Sequence, residues 1–162
     1  MKVVSGLFAA MCAFAGSLCF GSSAVVARTN WQGEVMITAV TNPACASDGW
    51  AVGGHALSSL LPANVDNNGG SSFISFHINR RNAYSLKVTG ALAAGKAYTG
   101  IEITSAGSNL SFSGNIVQHT QTPAPANVTT ATKFITVTGQ IAGWAGTIGC
   151  TITYEGAFVR RR

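Results

Sequence analysis

Apolar and polar residues alternate with a period of two along much of the chain after residue 30. The clearest run covers residues 147–159, where Cys150, Ile152, Tyr154 and Phe158 share one parity and the other parity is rich in threonine. Such alternation indicates a strand with one face in a core and the other in solvent. Cys150 is therefore expected on the core face of the last strand.

Several other segments show the same alternation, and no stretch has a sustained helical period. We predict a long connection over residues 48–72, because glycines, Pro62 and a polar run interrupt the pattern there, with one short strand at 50–52 and a helical turn at 56–61. The remaining strand candidates are 31–40, 74–78, 84–88, 97–104, 109–118 and 133–142.

This spacing predicts an all-β fold, either an antiparallel β-sandwich or a small β-barrel of about seven to eight strands. The pattern does not choose between the two. An outer-membrane barrel is disfavoured, because the last strand ends in arginines and not in apolar or aromatic residues.

Residues 1–27 have the features of a secretory signal peptide: one charge at Lys2, an apolar run over 3–15, and small residues before the end of the segment. We predict cleavage of this helix after Ala27. The uncharged stretch could instead be a retained membrane helix, but its glycines and Ser22-Ser23 favour cleavage. The expected product is a single domain, 28–162, that is secreted or periplasmic and does not span a membrane.

Cys45 and Cys150 are the two cysteines that remain after residues 1–27 are removed. A lone pair in an oxidising compartment predicts a disulfide, here closing a loop of 105 positions. A metal or redox pair is disfavoured because there is no Cys-x-x-Cys spacing and no nearby histidine.

The only run of charges is Arg160-Arg161-Arg162. Charged residues make up 9% of the chain, against about 25% in ordinary soluble proteins, and residues 28–162 contain nine cations and five carboxylates. The arginine run is a candidate contact for an anionic cell-envelope component. Nucleic acid is not expected as a partner, because no basic patch is interleaved with aromatic residues.

Trp50 and Trp144 lie beside glycines in or near loops, so they are candidates for stacking against a carbohydrate. The alternative is that each is an ordinary buried residue of a β core.

No catalytic motif or metal-ligand spacing is present, and the three histidines and five acids of residues 28–162 are scattered. We therefore expect no cofactor, no metal and no enzymatic activity. The expected function is a non-enzymatic binding or structural β domain. One alternative is a hydrolase of polysaccharide or cell-wall material, with Glu102 and Glu155 as its carboxylate pair; the other is a small-ligand carrier with a barrel cavity.

Overall fold

The protein is an eight-stranded antiparallel barrel in a computed structural model that describes residues 29–41, 45, 51–66, 69–77, 82–104, 107, 109–124, 127–143 and 149–161. The predictions for residues 1–28, Trp50, Trp144 and Arg162 lie outside these residues. Each strand pairs with the next one along the chain, and β8 pairs with β1 to close the barrel. The strands are β1 Trp31–Val40, β2 His55–Leu61, β3 Ser71–His77, β4 Asn82–Thr89, β5 Ala97–Thr104, β6 Asn109–Thr122, β7 Phe134–Ala142 and β8 Thr151–Arg160.

The barrel confirms the all-β prediction and decides between its two architectures. β1 and β5 have the predicted bounds, and the core parity of β8 is as expected, with Cys150, Tyr154 and Phe158 buried. No helix in the described ranges is long and apolar enough to cross a membrane.

The prediction for residues 48–72 is wrong, because His55–Leu61 forms strand β2 and not a helical turn in a long connection. The alternation is present but its polarity is mixed: Ser58 faces the interior, while Leu57 is 73% exposed on the outer wall. The hydroxyl of Ser58 donates a 2.8 Å hydrogen bond to the carbonyl of Ser75 on β3, which satisfies it inside the barrel. The described part of the predicted short strand at 50–52 is also not a strand, because Ala51 is irregular and Val52 lies in a turn.

β6 is longer than predicted, because it runs to Thr122. Its pairing with β7 changes register between Ile116 and Gln118, as in a β-bulge. Residue Val117 is therefore exposed directly after buried Ile116, and the inward parity passes from even to odd positions. A strict period of two cannot predict this change.

Side chains fill the interior of the barrel, as expected for eight strands. The largest fully buried side chains are Trp31, Tyr84, Tyr154, Phe76 and Phe158. Several rings lie over glycines of neighbouring strands: a Cβ on Gly114 would overlap the ring of Tyr98, and one on Gly139 would overlap the ring of Tyr154. The core thus alternates large and small residues across adjacent strands.

The Cys45–Cys150 disulfide is confirmed, with 5.5 Å between the Cα atoms and both residues buried. It joins the connection after β1 to the residue before β8. This end of the barrel, which also receives the connections after β3, β5 and β7, is called the disulfide end. The opposite end, called the termini end, contains residues 29–30 and 160–161 and the connections 62–70, 90–96 and 123–133.

Candidate functional site

The termini end brings together cations that are far apart in the sequence. Lys96 lies in the connection before β5, Lys133 directly precedes β7, and Arg160 and Arg161 end the described chain. Both lysines and Arg161 are exposed, and Arg160 is partly buried. Lys133 is a direct neighbour of Arg160, whereas Lys96 lies at the same end beside Ile116 of β6. Sequence reasoning identified the arginines but missed the lysines, because only the up-and-down order of the strands places them at the same end.

The two arginines are held by hydrogen bonds and do not form a free tail. The backbone amide of Arg160 donates to the carbonyl of Lys133 at 2.9 Å, and its guanidinium donates to the carbonyl of Thr130. Nε of Arg161 donates to Oε1 of Gln32 at 2.8 Å, and its backbone amide donates to the carbonyl of Asn30. Both cations therefore have defined positions at the rim of the barrel.

Asp66 is the one carboxylate among the described connections of this end. Its Oδ2 accepts a 2.6 Å hydrogen bond from the backbone amide of Thr29. Hydrogen bonds from the Thr29 side chain and from this backbone amide stabilise the ionised carboxylate and lower the pKa of Asp66 below its usual value. The carboxylate is thus already bound by backbone, and the end as a whole remains cationic.

Trp31 forms the floor beneath this rim. Its side chain is fully buried, and its indole N–H donates a 3.1 Å hydrogen bond to the carbonyl of Thr132 in the connection before β7. Because Thr132 is adjacent to Lys133, this bond fixes the backbone from which one of the cations projects.

Concave features among the described residues of the termini end include a cavity and a groove, besides an open depression of about 480 Å³ beside His119. A cavity of about 240 Å³ lies between the three connections of this end and is lined by Asn64, Asn127, Leu92 and Val128 among others. A groove of about 580 Å³ runs over the outer wall, lined by Gln32, Gly33, Leu57, Val159, Arg160 and Arg161. Both lie outside the packed interior of the barrel.

The histidines do not form a site with one another. His55 Nδ1 lies 2.9 Å from Glu34 Oε1 on the outer wall, and His77 is exposed on β3. His119 faces inwards on β6, where its Nε2 is buried with no hydrogen-bond partner, and burial lowers its pKa. Among the described residues, no group of three His, Cys, Asp or Glu side chains could hold a metal ion.

The strand order separates Glu102 from Glu155. β5 pairs with β4 and β6, whereas β8 pairs with β7 and β1, so the two residues lie on strands that are not neighbours. Two strands lie between them on one side of the barrel and four on the other. The strand pairing therefore does not bring these two residues together as a glycosidase pair.

Comparisons of this chain with protein-family models, with curated proteins and with solved structures found no match.

Proposed function

We propose that the protein is an exported, non-enzymatic binding domain whose termini end contacts an anionic component of the cell envelope. The observation that carries this proposal is the collection of Lys96, Lys133, Arg160 and Arg161 at one end of the barrel. Clustered exposed cations create a local positive potential that concentrates anionic partners. The interaction is expected to weaken with salt, because the screening length is about 8 Å at physiological ionic strength.

Export is supported by the signal-peptide features of residues 1–27 and by the disulfide, since such bonds persist in oxidising compartments. The exported protein is expected to begin at Arg28. Mass spectrometry of the protein recovered from the periplasm or the medium tests this, and an intact N-terminus at Met1 would contradict it.

The two alternative functions receive no support from the described residues. A hydrolase would need carboxylates that share a surface, whereas Glu102 and Glu155 lie on strands that are not neighbours. A carrier would need an internal cavity, whereas aromatic and aliphatic side chains fill the described interior.

The test of the binding proposal is a variant that neutralises the cationic end without disturbing the fold. Lys96→Gln, Lys133→Gln and Arg161→Gln are combined, and Arg160 is kept because its guanidinium bonds the carbonyl of Thr130. A control with Lys87→Gln, Arg80→Gln and Arg81→Gln removes the same charge from the wall of β4 and from the chain between β3 and β4.

Binding is measured against phosphatidylglycerol vesicles, a uronic-acid polysaccharide and a neutral polysaccharide over a series of salt concentrations. We expect the parent and the control to bind at least one anionic probe at low salt, and the neutralised variant to lose most of this binding. Equal binding by the two variants, or no binding of the parent to either anionic probe, would overturn the proposal.

A further inference from the structure

The outer wall beside the termini end carries exposed apolar residues on three of its four adjacent strands. Leu57 on β2, Val159 on β8 and Phe134 on β7 are 73%, 56% and 39% exposed, and together they are called the wall patch. Phe134 and Val159 are direct cross-strand partners, and Gln32 of β1 pairs with Val159 on its other side. Leu57 lies on β2 beyond β1, opposite Glu34, and lines the same groove as Val159. Exposed apolar residues that line one groove are typical of interaction surfaces.

The wall patch borders the cations directly. The groove of about 580 Å³ has Leu57 and Val159 among its lining residues together with Arg160 and Arg161. The bond from Arg161 Nε to Gln32 Oε1 keeps this guanidinium at the groove. Lys133 precedes Phe134 in the chain, so a third cation lies at the far side of the patch. Apolar and cationic groups thus form one amphipathic surface.

Glu34 is the carboxylate nearest to the wall patch among the described residues. It pairs with His55 Nδ1 at 2.9 Å, and His55 lies opposite Met36, further from the termini end than Glu34 is. The carboxylate is therefore held on the side away from the arginines, and the two arginines of the groove outnumber it.

The strand pairing decides which kind of partner suits this surface. β1, β2, β7 and β8 are each paired on both sides across the patch, so their backbones offer no free edge. An extended peptide would gain no main-chain hydrogen bonds there and would depend on side-chain contacts alone. A lipid surface needs no such bonds, because it offers an apolar acyl-chain region and anionic headgroups over a broad area.

We propose that the wall patch docks on the surface of an anionic phospholipid bilayer, with its apolar side chains at the headgroup boundary and the neighbouring cations on lipid phosphates. This inference rests on the proposed function and names the partner class. Each basic residue near an anionic membrane surface is expected to raise the partition coefficient about fivefold.

The test is co-sedimentation with vesicles of phosphatidylglycerol and phosphatidylcholine, and with vesicles of phosphatidylcholine alone. The variant combines Leu57→Ser and Val159→Thr. The control combines Ile101→Ser and Ile103→Thr, which remove similarly exposed aliphatic side chains from β5 on another wall. We expect the parent and the control to bind the anionic vesicles, and the variant to bind about tenfold more weakly.

A second measurement tests the proposal without the Leu57→Ser and Val159→Thr variant, in case that variant does not fold. Tryptophan is introduced in separate proteins as Phe134→Trp and Ile101→Trp, and quenching by brominated anionic lipid is compared with that of the parent. Additional quenching is expected for Phe134→Trp and not for Ile101→Trp. Equal quenching in both proteins, or unchanged vesicle binding after Leu57→Ser and Val159→Thr, would overturn the lipid proposal.

The outcomes also separate this inference from the proposed function. If the parent binds the uronic-acid polysaccharide but no vesicles, docking on lipid is wrong while an anionic partner stands. If the parent binds neither anionic probe, both proposals fall.

Discussion

The interior of the barrel depends on glycines within its strands, although strand propensity alone does not favour glycine there. Gly114 on β6 lies beneath the ring of Tyr98 from β5, whose hydroxyl donates a hydrogen bond to the carbonyl of Gln140 on β7. A side chain at position 114 would displace both the ring and this bond. Glycine here is thus a packing requirement of the closed barrel.

Gly114→Ala is expected to destabilise the protein by about 1 to 3 kcal/mol or more, because the added methyl would overlap the backbone carbonyl of Gln140 as well as the ring of Tyr98. The matched control is Gly70→Ala, where nothing lies within 4 Å of an added Cβ. Its effect is expected to stay within about 0.5 kcal/mol. Urea unfolding checks both, and similar midpoints for the two variants would contradict this view of the interior.

His119 makes stability depend on pH. Burial lowers its pKa in the folded state, whereas in the unfolded chain it protonates near pH 6.5. Between these two pKa values the unfolded chain binds more protons, so stability falls as the pH drops below about 6.5. His119→Gln is expected to reduce the difference in urea midpoint between pH 7.5 and pH 5.

The matched control for this prediction is His77→Gln, which removes an exposed imidazole from β3. If His119→Gln and His77→Gln change the pH dependence to the same extent, the assignment of the effect to burial of His119 is wrong.

At the scale of strands, most of the barrel follows from alternation, and the exceptions have physical reasons. β8 alternates cleanly because its inward residues are apolar or glycine and its outward ones are mostly polar. β1 alternates as far as a register shift between Ile37 and Ala39, and β5 keeps its period of two although Ile101 and Ile103 face outwards. β2 breaks this rule, with Ser58 inward and Leu57 outward. Its burial alternates with a period of two, but its hydrophobicity does not. The β6 bulge shifts parity at Val117 through pairing with β7, which is information that the local sequence does not contain.

The disulfide is the covalent link between the connection after β1 and the residue before β8. The strands β1 and β8 already pair along their length. Replacing both cysteines with alanine is expected to lower the free energy of unfolding by about 4 to 5 kcal/mol in the chain-entropy model, because the closed loop of 105 positions restricts the unfolded chain. Urea unfolding of the variant beside the oxidised parent measures this loss.

Thiol titration of the unfolded, unreduced parent provides the direct check. No free thiol from Cys45 or Cys150 is expected. Two free thiols per chain, or equal stability of parent and variant, would show that the bridge does not form in the protein.

At the scale of the whole molecule, the number of strands decides which residues share an end. In an up-and-down barrel, consecutive connections lie at alternating ends, so omitting β2 moves every later connection to the wrong end. With seven strands, Lys96, Lys133 and Arg160 would all lie at the end opposite Asn30, and Cys45 and Cys150 would be placed at different ends. With eight strands, the cations share the termini end with Asn30, and the two cysteines share the other end.

The candidate site was therefore only partly predictable. The arginine run is visible in the sequence as a cluster, but the lysines come from turns separated by whole strands. Leu57, which belongs to the wall patch, lies in the strand that the sequence pattern did not reveal. Trp50 and Trp144 remain predictions, since they lie outside the described residues.

Backbone amide NMR spectra of the isotopically labelled protein test the central claim most directly, when the protein is titrated in parallel with a short-chain phosphatidylglycerol below its micelle concentration and with a uronic-acid oligosaccharide. The largest shifts are expected at and around Lys96, Lys133, Arg160 and Arg161, and they should diminish as salt is added. Shifts that cluster around Cys45 and Cys150 at the disulfide end, or the absence of any cluster with both anions at their highest concentrations, would contradict the assignment of anion binding to the termini end.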